Sequence, residues 1–581
     1  MLKSIARDRL SELEQRFETL YGDLSARCLA RLNMMVGRYG VGLNPNRSQS
    51  LWDETSSLLI TYGDMVRSKH DTPLYTLRHF LLRHVRDAIQ SVHVLPFTPY
   101  SSDDGFSVID YRTVDPELGT WTDIRGLSTD YRFMADLVIN HVSRQSSWFK
   151  DFTINVAPAC NYFIELPPDT DMRTVVRPRT SPLLTPVHTR SGERYVWTTF
   201  SDDQIDVNFE NPDVLFEYLD ILFYYISMGA KIIRLDAIAF LWKKLGGPCI
   251  HLRETHEVVK IIRDVLDLVA PEVVLLTETN VPHKENVSYF GDGDEAHIVY
   301  QFSMPPLVLH ALLNGNAYYL TQWAMQLEAP PFGCTFLNFT ASHDGVGVRP
   351  LEGLVPDEEV HALVEAVKAR GGRVSCKSNP DGSMSPYELN ITYFDALSEP
   401  MKAPGAEHIQ RFLCSQTIPL SFKGVPAIYF HSLTSTPNWQ DGVAETCRAR
   451  TINRRKWKED ELETLLRDKE TPTAQVFDEY IRRLNIRKQH CAFHPDSDQT
   501  VHSFSDDVFI LERVSASEAS AVAALHNVTN KTVTLDAQYK LPTLHSRKEA
   551  FDLISGQSMQ TNEITLQPYQ CVWLIAESMR T

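Results

Sequence analysis

Eight short apolar runs alternate along the chain with longer polar stretches, and this alternation constrains the fold more than any other feature. Each run has the length of a buried strand, and enough chain for a helix or an insertion separates one run from the next. Parallel strands joined by helices give such a pattern, and eight of them predict a closed (β/α)8 barrel of the TIM type. The runs are residues 57–62, 92–97, 133–140, 230–236, 273–278, 298–303, 335–341 and 425–429.

Changes in hydrophobic pattern and composition along the chain predict further segments around the barrel. The first residues carry apolar side chains at helical spacing among charged ones, which predicts an amphipathic helical extension that packs against another part of the protein. Two connections are too long and irregular for plain loops and predict insertions over the barrel mouth. Turn-separated β segments at the end predict an antiparallel β domain. The predicted segments are the extension (1–55), the barrel (56–142, 210–345 and 399–498), the insertions (143–209 and 346–398) and the C-terminal β domain (499–581).

The composition narrows the class of partner and the compartment. A formal net charge of −17 over 581 residues argues against a nucleic-acid partner, because such binding depends on lysine and arginine that neutralise phosphates. No apolar run approaches the roughly 20 residues of a membrane span, and the first residues lack the apolar core of a secretory signal. The nine cysteines are scattered and never spaced CxxC, which predicts reduced thiols in a cytoplasmic protein.

The run at 230–236 ends in a cation and a carboxylate, Arg234 and Asp236. Positions two apart in a strand point to the same side of the sheet, so the two side chains lie next to each other. A neighbouring guanidinium lowers the pKa of a carboxylate, and we therefore expect Asp236 to stay ionised, as a nucleophile must. The alternative is a structural ion pair at a strand end.

Two more carboxylates follow apolar runs in the same way. Glu278 ends VVLLTE, and Asp344 follows His343 in ASHDG. His141 ends DLVINH after the third run. The carboxyl ends of all barrel strands meet on one face, where barrel enzymes bind their substrates. The sequence therefore predicts a catalytic site with three carboxylates on that face.

The segments that carry these residues resemble a known family. DLVINH, RLDA, TETN and SHDG, in this order, resemble the four signature segments of the α-amylase superfamily (glycoside hydrolase family 13), and QIDVN at 204–208 resembles a fifth. SSDDGFSVIDY at 101–111, RPR at 177–179 and INRR at 452–455 are similar to its sucrose phosphorylase branch. Within that branch, the helical leader and the stretches at 277–291 and 385–393 are most similar to glucosylglycerate phosphorylases.

The resemblance implies a role for each carboxylate. Asp236 would be the nucleophile, Glu278 the general acid/base, and Asp344 a residue that binds sugar hydroxyls and stabilises the transition state. A retaining mechanism needs the nucleophile and the acid about 5–5.5 Å apart. Arg234 should keep Asp236 ionised, while burial near two anions should raise the pKa of Glu278 enough for it to carry a proton.

The same resemblance implies binding residues. Glucose would be bound by Asp103, Phe106, His141, Phe200, Arg234, His343 and Arg454. Arg179 corresponds to an arginine implicated in phosphate binding, a role that suits its planar guanidinium. Tyr387 and Glu388 fall in an acceptor loop where the family has Tyr-Gln, so Glu388 departs from the pattern and would repel phosphate unless an arginine offsets it. Arg177 and Arg349 are further candidate cations for an anionic acceptor.

The implied substrates are an α-glucoside and inorganic phosphate, with no cofactor, metal, nucleic acid or membrane. The implied reaction is phosphorolysis of glucosylglycerate to glucose 1-phosphate and glycerate. Sucrose, sucrose 6′-phosphate and glucosylglycerol remain alternative glucosides, and a hydrolase, a transglucosylase or a non-catalytic binding module would use the same scaffold. The oligomeric state stays open, with a homo-oligomer as one alternative.

Overall fold

The computed structural model describes residues 2–39, 50–379, 383–517 and 520–576. At its centre, eight parallel strands close into a barrel in the order β1-β8-β7-β6-β5-β4-β3-β2. Each of the eight predicted runs contributes one strand, so the predicted TIM barrel is confirmed. The strands are β1 (Leu58–Thr61), β2 (Ser91–Val94), β3 (Arg132–Val138), β4 (Ala230–Asp236), β5 (Val274–Thr277), β6 (Ile298–Tyr300), β7 (Thr335–Asn338) and β8 (Val425–Tyr429).

Helices fill the connections and cover the outside of the barrel, which explains why the strands are apolar on both faces. The helix Pro212–Ser227 shows how local sequence sets its start, because Asn211 accepts a hydrogen bond from the Asp213 amide and proline occupies the first turn. Among the described residues, none of the helices combines the length and the apolar composition of a membrane span. The main barrel helices are Pro73–His84, Trp121–Asp130, Pro212–Ser227, Arg253–Val269, Met304–Asn314, Tyr318–Met325, Ala406–Ser421 and Pro472–Arg487.

The strand register brings the predicted carboxylates to one rim of the barrel. Val138 of β3 lies opposite Asp236 of β4, and Thr277 of β5 lies opposite Leu235. Asp236 is the last residue of β4, and Glu278 comes directly after β5. Neighbouring parallel strands therefore end at the same level and present both side chains on the carboxyl face.

Two long connections fold over this rim. After β3, His141–Ser143 pairs with Gln204–Asp206, and a hairpin joins Leu184–Thr189 to Gly192–Trp197. After β7, a three-stranded sheet forms together with the helix Asp357–Ala369; its strands are Val346–Gly347, Arg373–Ser378 and Met384–Asn390. These connections occupy the two predicted insertions, whose boundaries stay predictions.

The C-terminal part is an antiparallel sheet of six strands in the order β9-β10-β11-β14-β12-β13. The apolar stretch 564–575 forms two strands, because Tyr569, with φ of 56°, lies in a turn between them. Its first part, Ile564–Leu566, pairs with Val533–Leu535 instead of joining the main sheet. The six strands are β9 (Asp498–His502), β10 (Val508–Val514), β11 (Ala521–Asn527), β12 (Glu549–Asp552), β13 (Gln557–Gln560) and β14 (Cys571–Ala576).

The N-terminal extension forms two helices, α1 (Leu2–Tyr21) and α2 (Ser25–Tyr39). The Arg16 guanidinium bridges α1 to the barrel, with Asp264 at 2.7 Å, Asp294 at 3.1 Å and Glu257 at 3.2 Å. Phe17 is fully buried and stacks on Phe216, with ring centroids 6.0 Å apart. The extension therefore packs on the outer helices of the barrel.

Replacing Phe17 with alanine is expected to lower the free energy of unfolding by about 3 kcal/mol, because truncating a buried phenylalanine removes apolar contacts and leaves a cavity. Urea unfolding measures the loss. Leu10, in the same helix, is 37% exposed, and Leu10→Ala serves as the control with an expected loss below about 1 kcal/mol. A loss below about 1 kcal/mol for Phe17→Ala would show that packing of α1 contributes little to stability.

Candidate active site

Arg234 connects the carboxylates at the centre of the site. Its Nη1 donates to Asp136 Oδ1 at 2.5 Å and to Asp236 Oδ1 at 2.7 Å, and its Nη2 lies 3.8 Å from Glu278 Oε2. His93 Nε2 lies 2.6 Å from the other oxygen of Asp136. All five residues lie on β2, β3 and β4 or directly after β5. Asp136 holds the Arg234 guanidinium in place, and this one guanidinium brings the predicted nucleophile, Asp236, and the predicted acid, Glu278, together.

The surroundings of Glu278 favour its protonated form. Burial raises the pKa of Glu278 to about 7, and the nearby anions Asp236 and Asp344 add to that rise. The Arg234 guanidinium opposes it from 3.8 Å, and the Ala237 amide donates to Glu278 Oε2 at 3.3 Å. The predicted elevation of this pKa is confirmed, and its main cause is burial.

The pKa of Asp236 moves in the direction opposite to the one predicted. Arg234 lowers the pKa, but burial raises it by more, and the net pKa is raised above its ordinary value. The two carboxylates still differ, because Asp236 receives a direct hydrogen bond from Arg234 at 2.7 Å while Glu278 does not. The contact with Arg234 therefore favours the ionised form of Asp236 relative to that of Glu278.

Asp344, after β7, lies among cations. Arg450 Nη1 is 2.6 Å and Arg454 Nη2 is 3.5 Å from Asp344 Oδ1. Burial raises the pKa of Asp344, but these arginines outweigh burial and bring the pKa below its usual range. Burial lowers the pKa of the adjacent His343 to about 3, so this imidazole is neutral near pH 7. The site therefore holds a fixed anion beside a neutral histidine.

Aromatic side chains form one wall of the site. Phe106 stacks on His343 with ring centroids 4.8 Å apart and planes 9° apart. His141 Nε2 lies 2.9 Å from the Phe106 carbonyl oxygen, and the His141 ring is 5.2 Å from that of Phe200. Apolar faces that alternate with a few polar groups are typical of pockets for small polar ligands.

The predicted site residues converge on one cavity, which we call the inner cavity. Three predicted residues lie behind the cavity wall and do not line the cavity: Arg234, Arg454 and Glu388. Arg177 does not line it either, and its guanidinium donates to the carbonyl oxygens of Thr180 and Ser181. Eleven predicted residues line it: Asp103, Phe106, His141, Arg179, Phe200, Asp236, Glu278, His343, Asp344, Arg349 and Tyr387.

Asp103 and Arg454, the predicted glucose-binding pair, have different protein partners. Arg454 Nη1 contacts the neighbouring Asp104, and its Nε donates to the His343 carbonyl oxygen at 2.8 Å. Asp103 accepts a hydrogen bond from Gln204 Nε2 at 3.4 Å. Both members of the pair line a more open outer cavity at the rim; other residues there include Ser102, Asp104, Arg179, Phe200, Asp203, Arg448 and Arg450.

Glu388 does not face the inner cavity, although Tyr387 does. Successive residues of a strand point to opposite sides, and both lie in the strand Met384–Asn390. Glu388 is fully buried, and its carboxylate accepts from the Gly345 amide at 2.6 Å and from Arg450 Nε at 3.1 Å. The acidic departure from the family pattern is thus offset by an arginine, and it helps to hold Arg450.

Comparison with known proteins gives the family. A family model described as "Alpha amylase, catalytic domain" matches residues 87–328. A glucosylglycerate phosphorylase of Allomeiothermus silvanus is 44% identical over 558 residues, which cover 96% of this chain and 97% of the relative. The chain belongs to the α-amylase family.

Other relatives within the α-amylase family agree with this assignment. A glucosylglycerate phosphorylase of Spirochaeta thermophila is 48% identical over 532 residues, or 90% of each chain. The solved structure of sucrose 6F-phosphate phosphorylase from Thermoanaerobacter thermosaccharolyticum has a TM-score of 0.72 and 23% identity, covering 88% of this chain and 98% of that one. At that identity the structural match shows the shared fold alone. The protein is an enzyme of the phosphorylase branch of the α-amylase family.

Several residues that the sequence did not single out as candidates also line the inner cavity. They include Gln204, Phe240, Asn280 and Arg450. Gln204 and Asn280 lie inside the family-like segments QIDVN and TETN, so the signal for them was present. Arg450 lies in the short helix Ala449–Asn453, four residues before Arg454, and this closeness in sequence to a predicted site residue was its signal.

Proposed function

We propose that the protein is a retaining phosphorylase. It converts 2-O-α-D-glucosylglycerate and phosphate reversibly to α-D-glucose 1-phosphate and D-glycerate, through a β-glucosyl-enzyme intermediate. The observation that carries the proposal is 44% to 48% identity to two glucosylglycerate phosphorylases over 90% or more of the chain. The cluster of Asp236, Glu278 and Asp344 in one cavity supports it.

In the first step, a carboxylate oxygen of Asp236 attacks the anomeric carbon of glucose while the bond from that carbon to O2 of glycerate breaks. Glu278 donates its proton to the departing oxygen, for which a pKa of about 7 suits it. The oxocarbenium-like transition state carries positive charge, and ionised Asp344 stabilises it. Asp344 also binds sugar hydroxyls, as do Asp103, His141 and His343 in the inner cavity and Arg454 from the adjoining outer cavity, while Phe106 and Phe200 pack against the ring.

In the second step, a phosphate oxygen attacks the anomeric carbon from the face that glycerate left, and the ester bond to Asp236 breaks. Glu278, now ionised, takes the proton of the attacking phosphate. Two inversions give α-D-glucose 1-phosphate. Arg179 binds the phosphate beside Tyr387, since its guanidinium lies over that ring with a centroid distance of 5.8 Å.

Product analysis tests the proposal. Purified protein is incubated with 2-O-α-D-glucosylglycerate with and without phosphate, and we expect α-D-glucose 1-phosphate only when phosphate is present. Free glucose formed equally under both conditions would identify a hydrolase and overturn the proposal. Sucrose, sucrose 6′-phosphate and glucosylglycerol are run in parallel, and preferential cleavage of any of them would overturn the glycerate assignment.

A further inference from the structure

The proposed reaction brings two different anions to the acceptor side of the site. Phosphate attacks in one direction and glycerate in the other, and each needs cationic partners where it enters. Three arginines line the inner cavity, namely Arg179, Arg349 and Arg450. Their other contacts differ, and this difference indicates which anion each can bind.

Arg450 already forms ion pairs with two carboxylates. Its Nη1 lies 2.6 Å from Asp344 Oδ1, and its Nε donates to Glu388 Oε2 at 3.1 Å. Two anions balance its single charge, so it has no net positive charge to offer a third. Arg450 therefore fixes Asp344, and the acceptor must find its cation elsewhere.

Arg179 and Arg349 occupy different parts of the site. Arg179 lies in the first insertion beside Tyr387 and lines both the inner and the outer cavity. Arg349 begins the short helix Arg349–Leu351 in the second insertion and lines only the inner of these two cavities. The anion at Arg179 can thus exchange through the outer cavity, whereas Arg349 lines only the inner one.

Arg349 has hydrogen-bonding capacity that its neighbours leave unused. Its side chain is 17% exposed, and its buried Nε has no hydrogen-bond partner among the described residues. Glu352 Oε1 lies 3.8 Å away, beyond hydrogen-bond distance, and Glu352 itself is 53% exposed. A buried donor without a partner is costly unless a ligand satisfies it.

Asn280 lines the inner cavity next to the segment that carries Arg349. Its buried Oδ1 likewise has no hydrogen-bond partner among the described residues. It lies against the strand that leads to Arg349, since a Cβ on Gly347 would come within 2.7 Å of Asn280 Oδ1. The absence of a side chain at Gly347 therefore leaves room for the Asn280 amide next to this strand.

We propose that Arg349 and Asn280 bind the hydroxy-acid acceptor, which leaves the phosphate to Arg179. Arg349 binds the carboxylate of glycerate, and Asn280 accepts a hydrogen bond from its free hydroxyl group. This inference rests on the proposed function. It makes Arg349 the residue that selects glycerate over the uncharged glycerol, since the two differ in the carboxylate that Arg349 binds.

Arg349→Met tests the inference, because methionine keeps an apolar stem and removes the charge. Three rates are compared: synthesis from α-D-glucose 1-phosphate with D-glycerate, synthesis with glycerol, and arsenolysis of α-D-glucose 1-phosphate. We expect kcat/KM for glycerate to fall about 100-fold, at least ten times more than the other two rates. Arg349→Lys keeps the charge and is expected to recover part of the preference for glycerate.

Arg173→Met is the matched control, since Arg173 lies in the first insertion, is 89% exposed and pairs with Asp171. The Arg173→Met variant is expected to match the wild type in synthesis with D-glycerate, in synthesis with glycerol and in arsenolysis. A wild type that prefers glycerate together with an Arg349→Met variant that keeps this preference would overturn the inference alone. Equal losses in all three rates would also overturn it, because Arg349 would then serve phosphate as well. A wild type that makes glucose 1-phosphate without preferring glycerate would refute the proposed acceptor and the inference with it.

Discussion

Asp236→Asn is expected to reduce phosphorolysis by on the order of 10⁴-fold or more, because the amide cannot form the glucosyl ester through which the reaction passes. The substitution keeps the size of the side chain, and its oxygen can still accept the Arg234 hydrogen bond that now measures 2.7 Å. The loss is therefore chemical rather than structural. Release of glucose 1-phosphate from glucosylglycerate at saturating phosphate measures it.

The control for this variant is Asp169→Asn, which makes the same change at an exposed position of the first insertion. Its activity is expected to equal that of the wild type. A second readout is covalent: acid quenching of the wild type with glucoside and no phosphate should leave one glucosyl unit on the peptide that contains Asp236. An Asp236→Asn enzyme with activity within tenfold of the wild type would rule out Asp236 as the nucleophile.

The barrel could be predicted from the sequence because its strands are buried on both faces. Runs such as VVLLT at 273–277 are apolar throughout and end where the chain reaches the polar rim. The strands of the C-terminal sheet were harder to predict at its edges. β9 and β13 have mostly polar and partly exposed residues, and their pairing comes from β10 and β12 rather than from their own pattern.

The three carboxylates could be predicted because each follows a barrel strand, and strand ends meet on one face. The direction of the Asp236 pKa shift could not, because burial depends on chain segments that the sequence does not place next to it. Glu388 is similar: its neighbour in sequence, Tyr387, faces the cavity, while the partner that neutralises it, Arg450, comes from 62 residues further along the chain. Such contacts exist only after folding.

Glu278→Gln is expected to reduce kcat/KM for glucosylglycerate by about 10³-fold, since glutamine cannot protonate the departing glycerate oxygen. A donor whose leaving group needs no proton isolates this role. α-D-Glucosyl fluoride releases fluoride without protonation, so its kcat/KM should fall at least ten times less. Equal losses on the two donors would show that Glu278 acts in some way other than as the acid.

The pH dependence gives the same residue a second test. Glu278 must be protonated to act in the first step, and its pKa is raised to about 7, so kcat/KM for glucosylglycerate should be highest below pH 7 and fall as pH rises through that value. Because Glu278 interacts with Asp236, the midpoint belongs to the pair. The fall should be absent in Glu278→Gln and absent for glucosyl fluoride in the wild type. If the fall persists in the Gln variant, another group controls it, and the proton on the leaving oxygen does not come from Glu278.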